Sequence, residues 1–182
     1  MNFGFDLDKI FINFPPIIPD KVVDFLYKGK ANHQLKYRIP SKIEQKIRII
    51  THHPLFRQPI TENIDFVRNL ALNKKNKHYL ISSRFSFLKQ RTDNLIKSHR
   101  FDKIFDFMYF NYENKQPHQF KHEVMKKLNL DIYVDDDLHL LRYLIDRNPK
   151  TKFYWLNKSV KKTLGKNLFA IKRLSEILKQ NN

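Results

Sequence analysis

The sequence contains no cysteine, so disulfide bonds and thiolate metal ligands are excluded. It also lacks any apolar run approaching the ~20 residues that a membrane-spanning helix needs. The N-terminal residues have neither the basic start nor the uninterrupted apolar stretch of a secretory signal. Internal repeats and low-complexity segments are absent as well. These absences predict a cytoplasmic protein with no membrane partner.

Acidic residues are also scarce relative to basic ones. The chain has 35 Lys and Arg against 18 Asp and Glu, a net charge of +17. This balance favours phosphorylated or polyanionic partners, with nucleic acid as one candidate. Many of the lysines have no motif around them and are explained equally well as solvated surface charges. The 182 residues, 41% of them apolar, predict one folded domain with room for a small insertion.

Strand-like and helix-like stretches alternate along the chain. Apolar runs predict strands at 2–6, 78–83, 104–111, 131–137 and 152–157. Helical spacing predicts helices around 21–27 and after Ser41, and over 59–72 (capped by Thr61), 85–99, 119–130, 138–148 and 168–179. Such alternation predicts an α/β fold in which a parallel sheet has helices on both faces.

Polar residues follow three of the predicted strands at their carboxyl ends, where open parallel sheets bind ligands. They are Asp6, Asp8, Ser82, Ser83, Asp135, Asp136 and Asp137. Clustered carboxylates without nearby histidine or cysteine indicate a hard cation such as Mg²⁺. A carboxylate beside that ion can attack phosphorus, and a second one two residues later can exchange the proton. A hydroxyl and a lysine would then hold the phosphoryl oxygens.

At this point the sequence resembles a known family, the haloacid dehalogenase-like phosphohydrolases. "FGFDLDKIF" (3–11) is similar to the first motif of that family, "YLISSR" (79–84) to the second and "DIYVDDD" (131–137) to the fourth. The lysine of the third motif corresponds to Lys121, 14 residues before Asp135. "FYWLN" (153–157) resembles the strand that commonly follows the fourth motif in that family. The "LISSR" order suits the nucleotidase-like branch, and the fold implied is a three-layer, Rossmann-like sheet.

The resemblance implies a nucleophile at Asp6 and a general acid/base at Asp8. Mg²⁺ would be held by the Asp6 side chain, the backbone carbonyl of Asp8, and Asp135 or Asp136. The transferring phosphoryl group would be bound by two further residues, Ser82 and Lys121.

Several assignments have alternatives. Ser83 binds the phosphoryl group in place of Ser82 if the strand ends one residue later. Lys115 is a second candidate for the phosphate-binding lysine. Arg84 either faces the phosphate or caps the next helix. Asp137 is interpreted as a helix cap, with metal ligation as the alternative.

About 70 residues separate the first two motifs, more than a simple crossover needs. We therefore expect residues 13–58 to form a small helical cap over a core made of 1–12 and 59–182. Its charged and aromatic residues would attract phosphate and stack on a base: Lys21, Lys28, Lys30, Lys36, Arg38, Lys42, Lys46, Arg48, Phe25, Tyr27 and Tyr37. Alternatively, the aromatic residues fill a small core of the cap itself, which is the favoured interpretation for Phe25. His52 and His53 either contact substrate at the cap hinge or belong to a loop. They have no acidic partner, so no transition-metal site is expected.

The sequence therefore predicts a Mg²⁺-dependent phosphatase that hydrolyses a small, nucleotide-like phosphate monoester through an aspartyl-phosphate. One alternative is a phosphatase acting on nucleic-acid ends. The other is a non-catalytic binding module for nucleic acid or protein on a retained fold.

Overall fold

The computed structural model describes residues 1–14, 37–158 and 163–178, and its centre is a sheet. The strands in these residues are β1 (Asn2–Phe5), β2 (Lys77–Ser82), β3 (Phe107–Phe110), β4 (Ile132–Asp135), β5 (Lys152–Leu156), β6 (Thr163–Gly165) and β7 (Leu168–Ile171). Their order across the sheet is β3-β2-β1-β4-β5-β7-β6. Neighbours are parallel except for β6 and β7, which pair antiparallel.

Helices cover both faces of this sheet. They are α1 (Lys42–Thr51), α2 (Thr61–Leu70), α3 (Lys89–Ser98), α4 (Pro117–Leu128) and α5 (Leu138–Ile145), and short 3₁₀ turns lie at 86–88, 101–103 and 174–177. One apolar core packs α2 and α3 against the sheet, and a second packs α4 and α5. Strand residues alternate between the two cores, as the pleat requires. The three-layer α/β architecture predicted from the sequence is confirmed.

Two of the helices begin at the caps that the sequence predicts. Ser41 caps α1 in a reciprocal box with Glu44: the hydroxyl accepts from the Glu44 N–H, and the Glu44 carboxylate accepts from the Ser41 N–H. The Asp137 carboxylate accepts hydrogen bonds from the first turn of α5, which confirms its interpretation as a cap. The predicted cap at Thr61 is wrong, because Ile60 precedes α2 and Thr61 is its first helical residue.

The predicted closing helix over 168–179 is also wrong. Leu168–Ile171 forms strand β7, which pairs in parallel with β5, and only the turn at 174–177 is helical. Apolar residues recur every third position from 168 to 177, which mimics a helical face. In the fold, pairing with the otherwise open edge of β5 satisfies the backbone, and this long-range pairing cannot be read from local spacing.

The inserted segment is described in part. The predicted helix around 21–27 lies outside the described residues, and the division of the chain at 13–58 stays a prediction. In α1 the isoleucines at 43, 47 and 50 that give the helical period are exposed, whereas Arg48 is buried. The helix therefore presents its polar side to the interior. Among the described residues, no helix is long and apolar enough to cross a membrane.

Candidate functional site

The candidate site lies where the carboxyl ends of β1, β2 and β4 meet. β1 runs between the other two, so the residues that follow these strands are neighbours. Asp6 follows β1 and its N–H donates to the Val134 carbonyl, while Ser82 and Asp135 are the last residues of β2 and β4. They line a cavity that is continuous with solvent. Resemblance and topology thus lead to the same edge of the sheet.

Three carboxylates converge at the floor of this cavity. Asp6, Asp135 and Asp136 each offer an oxygen, and these oxygens lie within 4.8 Å of one another. Lys121 is 2% exposed, and its Nζ donates to Asp6 Oδ1 at 2.7 Å and to Asp135 Oδ2 at 2.6 Å. Lys9 Nζ lies 3.4 Å from Asp136 Oδ2. Two ammonium groups therefore face three carboxylates, which leaves the cluster short of positive charge.

Two of these three carboxyl groups have a raised pKa. Burial raises the pKa of Asp6 to about 7; Lys121 opposes the shift, and the Asp135 carboxylate adds to it. Burial, followed by repulsion from Asp135, raises the pKa of Asp136 well above its ordinary value. Convergent, oxygen-only donors are suited to a hard divalent cation. The residues present therefore fit Mg²⁺, which Asp6, Asp135 and Asp136 would hold.

Asp8, two residues after Asp6, lies in the opposite electrostatic environment. Arg84 donates to both of its oxygens, from Nε to Oδ2 at 2.8 Å and from Nη2 to Oδ1 at 2.7 Å. Arg57 Nη1 donates to the same Oδ1 at 3.1 Å. Burial alone would raise the pKa of Asp8, but Arg84 and then Arg57 more than offset it, so the pKa lies well below the ordinary value. Asp8 is therefore ionised at neutral pH.

Of the two roles predicted for Arg84, capping the next helix is wrong, and facing the phosphate stays a prediction. Arg84 lines the cavity, but its guanidinium binds Asp8 and donates from Nη1 to Thr92 Oγ1 at 3.3 Å, and α3 begins after Leu88 without a side-chain cap. Sequence reasoning missed Arg57 entirely. It lies 49 residues from Asp8 in the chain, in a segment with no motif, so no local signal indicates the contact.

The two candidate serines share the cavity, whereas the two candidate lysines do not. Ser82 and Ser83 both line it; the Ser82 hydroxyl accepts from the Arg84 N–H, while Ser83 Oγ is buried without a hydrogen-bond partner in the described part of the chain. Lys121 lines the cavity, but Lys115 lies at the surface outside its lining and pairs with Glu113 and Glu123.

Residues from the inserted segment form another wall of the cavity: Tyr37, Arg38, Arg48 and His52. Tyr37 fastens this wall to the core, because its hydroxyl donates to Asp137 Oδ2 at 2.8 Å. Its backbone N–H and carbonyl also exchange hydrogen bonds with the Gln116 side chain. The cavity therefore joins an acidic floor to an aromatic and cationic wall.

Comparison with known proteins places the fold. No protein-family model matches the sequence, and no curated protein matches it. A solved structure of a Thermotoga maritima protein assigned as a β-phosphoglucomutase is similar with a TM-score of 0.63 and 13% identity, over 99% of this chain and 97% of that one. A HAD-superfamily hydrolase from Ehrlichia chaffeensis gives a TM-score of 0.56 and 12% identity, over 98% and 94%. The chain therefore has the haloacid dehalogenase-like fold, whereas the nucleotidase-like branch stays a prediction.

Proposed function

We propose that the protein is a Mg²⁺-dependent phosphatase that hydrolyses a phosphate monoester through an aspartyl-phosphate on Asp6. The observation that carries this proposal is the convergence, at one edge of the sheet, of Asp6 and Asp8 with Lys121 and the Asp135–Asp136 pair. All of these residue types are the ones that such chemistry needs, and they come from separate elements of the chain. The fold shared with a HAD-superfamily hydrolase adds support.

The first step forms a bond between an Asp6 oxygen and phosphorus and breaks the bond from phosphorus to the leaving oxygen. Lys121 offsets negative charge on Asp6 and the phosphoryl oxygens, and Ser82 donates a hydroxyl proton to one of those oxygens. When bound, Mg²⁺ would supply further positive charge at the same oxygens. Because Asp8 is ionised, it acts as the base: the leaving oxygen takes its proton from solvent, and in the second step Asp8 takes a proton from the water that attacks phosphorus and then releases it to solvent. Phosphate leaves and the Asp6 carboxylate is restored.

Asp8 can exchange this proton while the arginines hold it. Its Oδ1 accepts from both guanidiniums, whereas the described contacts of Oδ2 comprise one hydrogen bond, from Arg84. A carboxylate oxygen has two acceptor positions, so Oδ2 retains one for the attacking water. The arginines stabilise the ionised form, which is the form required as a base in the second step.

The cavity wall supports a nucleotide-like substrate. The rings of Phe14, Tyr37 and Phe85 line the cavity together with the guanidiniums of Arg38 and Arg48. Aromatic faces stack on bases, and arginines bind phosphate and other anions. We infer a substrate that places an aromatic group against this wall and a phosphate on the acidic floor.

The test is hydrolysis of p-nitrophenyl phosphate in the presence of Mg²⁺. We expect turnover that is abolished by EDTA and restored by Mg²⁺, and none above background in Asp6→Asn. Asp146→Asn, a matched carboxylate-to-amide change on the surface, keeps the wild-type rate. Borohydride reduction during turnover labels Asp6 if the aspartyl-phosphate forms. Full activity of Asp6→Asn would refute the covalent mechanism.

The net charge of +17 supports a second candidate, a phosphatase acting on nucleic-acid ends. Comparing mononucleotides with 3′- and 5′-phosphorylated oligonucleotides separates the two. The second candidate requires a large preference for the oligonucleotide that falls steeply with salt. Equal rates at low salt would reject it, and binding without turnover of any ester would indicate a non-catalytic module.

A further inference from the structure

A buried histidine lies behind the arginines that hold Asp8. His52 is 3% exposed, and its Nδ1 lies 2.7 Å from the Arg48 carbonyl oxygen, which can only accept. Its Nε2 lies 2.8 Å from Nη2 of Arg57, which can only donate. Both contacts are satisfied together by one form of the ring, the neutral tautomer with its proton on Nδ1. The contacts of His52 therefore assign its tautomer.

The same contacts orient Arg57. This side chain is 2% exposed, and three of its nitrogens are directed at different acceptors: Nε at the Thr51 carbonyl (3.3 Å), Nη2 at His52 and Nη1 at Asp8. The flat face of the guanidinium lies over the Phe14 ring, 4.4 Å from its centroid. Because the guanidinium is rigid and planar, placing Nη2 on His52 determines where Nη1 points. The contact of Arg57 with His52 therefore determines the direction in which Arg57 donates to Asp8.

We propose that His52 is a positioning residue that fixes the Asp8 carboxylate by orienting Arg57. This role rests on the proposed function, in which Asp8 exchanges the proton. Arg84 follows the end of β2 and contacts both oxygens of the carboxylate, while Arg57 approaches from the inserted segment. Two guanidiniums on different elements restrict the rotation of Asp8 more than either one alone, as an outer layer of contacts does in preorganised sites.

The electrostatics of His52 agree with this role. Burial, and then the positive charges of Arg57 and Arg84, lower the pKa of His52 well below its ordinary value. The ring is therefore neutral at pH 7, and Nε2 keeps the lone pair that accepts from Arg57. The adjacent His53 lies in a turn outside the cavity lining, where its Nδ1 accepts from the Leu55 N–H. It serves as a matched control.

A double-mutant cycle between His52 and Asp8 tests the proposal. The measured quantity is the steady-state rate of phosphate release from p-nitrophenyl phosphate at saturating substrate and Mg²⁺, which includes the second step, and thermal unfolding confirms that each variant folds. We expect His52→Leu to lower this rate about tenfold, in line with the loss of a residue that supports a reacting group. In the Asp8→Asn background the same change should have no further effect, because the carboxylate it positions is gone. His52→Gln, which can still accept from Arg57, should recover most of the rate, and His53→Leu should match wild type.

An equal loss in the wild-type and Asp8→Asn backgrounds would overturn the proposal, because it would indicate a role in packing or in direct substrate contact. A second measurement does not depend on activity. The ¹⁵N shifts of the His52 ring should show the Nδ1–H tautomer in wild type, and a ring protonated at Nε2 would overturn the proposal even if His52→Leu fails to fold. Absence of Mg²⁺-dependent turnover in wild type would instead refute the proposed function, and this role with it.

Discussion

Replacing Lys121 with methionine keeps the length and apolar stem of the side chain but removes its ammonium group from the acidic floor. In the native protein that group donates to Asp6 Oδ1 at 2.7 Å and to Asp135 Oδ2 at 2.6 Å, and all three side chains are buried. Removing one partner of a buried ion pair leaves an uncompensated charge, which costs about 3–5 kcal/mol. We therefore expect Lys121→Met to lower the free energy of unfolding by about this amount at pH 8 without Mg²⁺.

The raised pKa of Asp6 determines how the free energy of unfolding changes with pH. The pKa of Asp6 is raised to about 7 in the folded protein, so between about pH 4 and 7 the folded state binds more protons than the unfolded state. This group therefore lowers the stability of the Mg²⁺-free protein as pH rises through that window. Lys121 is the group that opposes the rise in the Asp6 pKa, so its removal raises that pKa further. The cost of Lys121→Met should be larger at pH 8 than at pH 5, where the carboxylates can protonate.

Urea unfolding followed by circular dichroism, in EDTA at both pH values, measures this effect. Lys126→Met is the matched control: it lies on the exposed side of the same helix and should change stability by no more than about 0.5 kcal/mol. A loss below about 1 kcal/mol for Lys121→Met at pH 8, or an equal loss at both pH values, would refute the idea that this ammonium neutralises the cluster.

Three further predictions follow from the same geometry. Mg²⁺ at a hundred times its dissociation constant should stabilise the protein by about 2.7 kcal/mol in thermal unfolding. The effect should grow from pH 5.5 to 8 because binding displaces a proton from Asp6, and an undiminished effect in Asp6→Asn would contradict this site. Tyr37→Phe removes the hydroxyl that holds the inserted segment to Asp137 and should cost about 1 kcal/mol in urea unfolding; an unchanged midpoint would show that this contact contributes nothing. Gly4→Ala should destabilise the protein by about 1–3 kcal/mol, since the added Cβ would lie 2.5 Å from a leucine methyl group. Gly165→Ala is the control, because its Cβ would meet nothing within 4 Å, and equal urea midpoints for the two variants would contradict this packing.

The acidic floor could be predicted because its residues directly follow short apolar strands. Asp6, Ser82 and Asp135 end runs whose length and composition indicate buried strands, and parallel strands bring such ends to one edge of the sheet. Lys121 has no such local signal, since lysines are frequent on this chain. It was identified only through its order and spacing in the family resemblance, and its burial between two carboxylates is what distinguishes it from Lys115.

The parts that were missed depend on contacts between distant segments. Leu168–Ile171 has a spacing compatible with a helix, and it is a strand because the edge of β5 is available for pairing. The bond from Arg57 to Asp8 depends on the path of the inserted segment, and the role of His52 depends in turn on Arg57. No single stretch of sequence contains either interaction, so reading His52 and His53 by themselves could not distinguish a buried ring from one in a turn.

The two opening aspartates differ in the source of their charge. Asp8 is ionised because two arginines of the chain itself surround it, so its charge does not depend on any bound ion. Asp6 shares its surroundings with Asp135 and Asp136, and a pKa raised to about 7 makes its charge depend on whether a cation is present. Separating the titration of two neighbouring carboxyl groups in this way is how enzymes assign distinct roles to chemically identical side chains. The two carboxyl groups of the pattern Asp-x-Asp therefore differ in pKa because the fold places carboxylates beside one and guanidiniums beside the other.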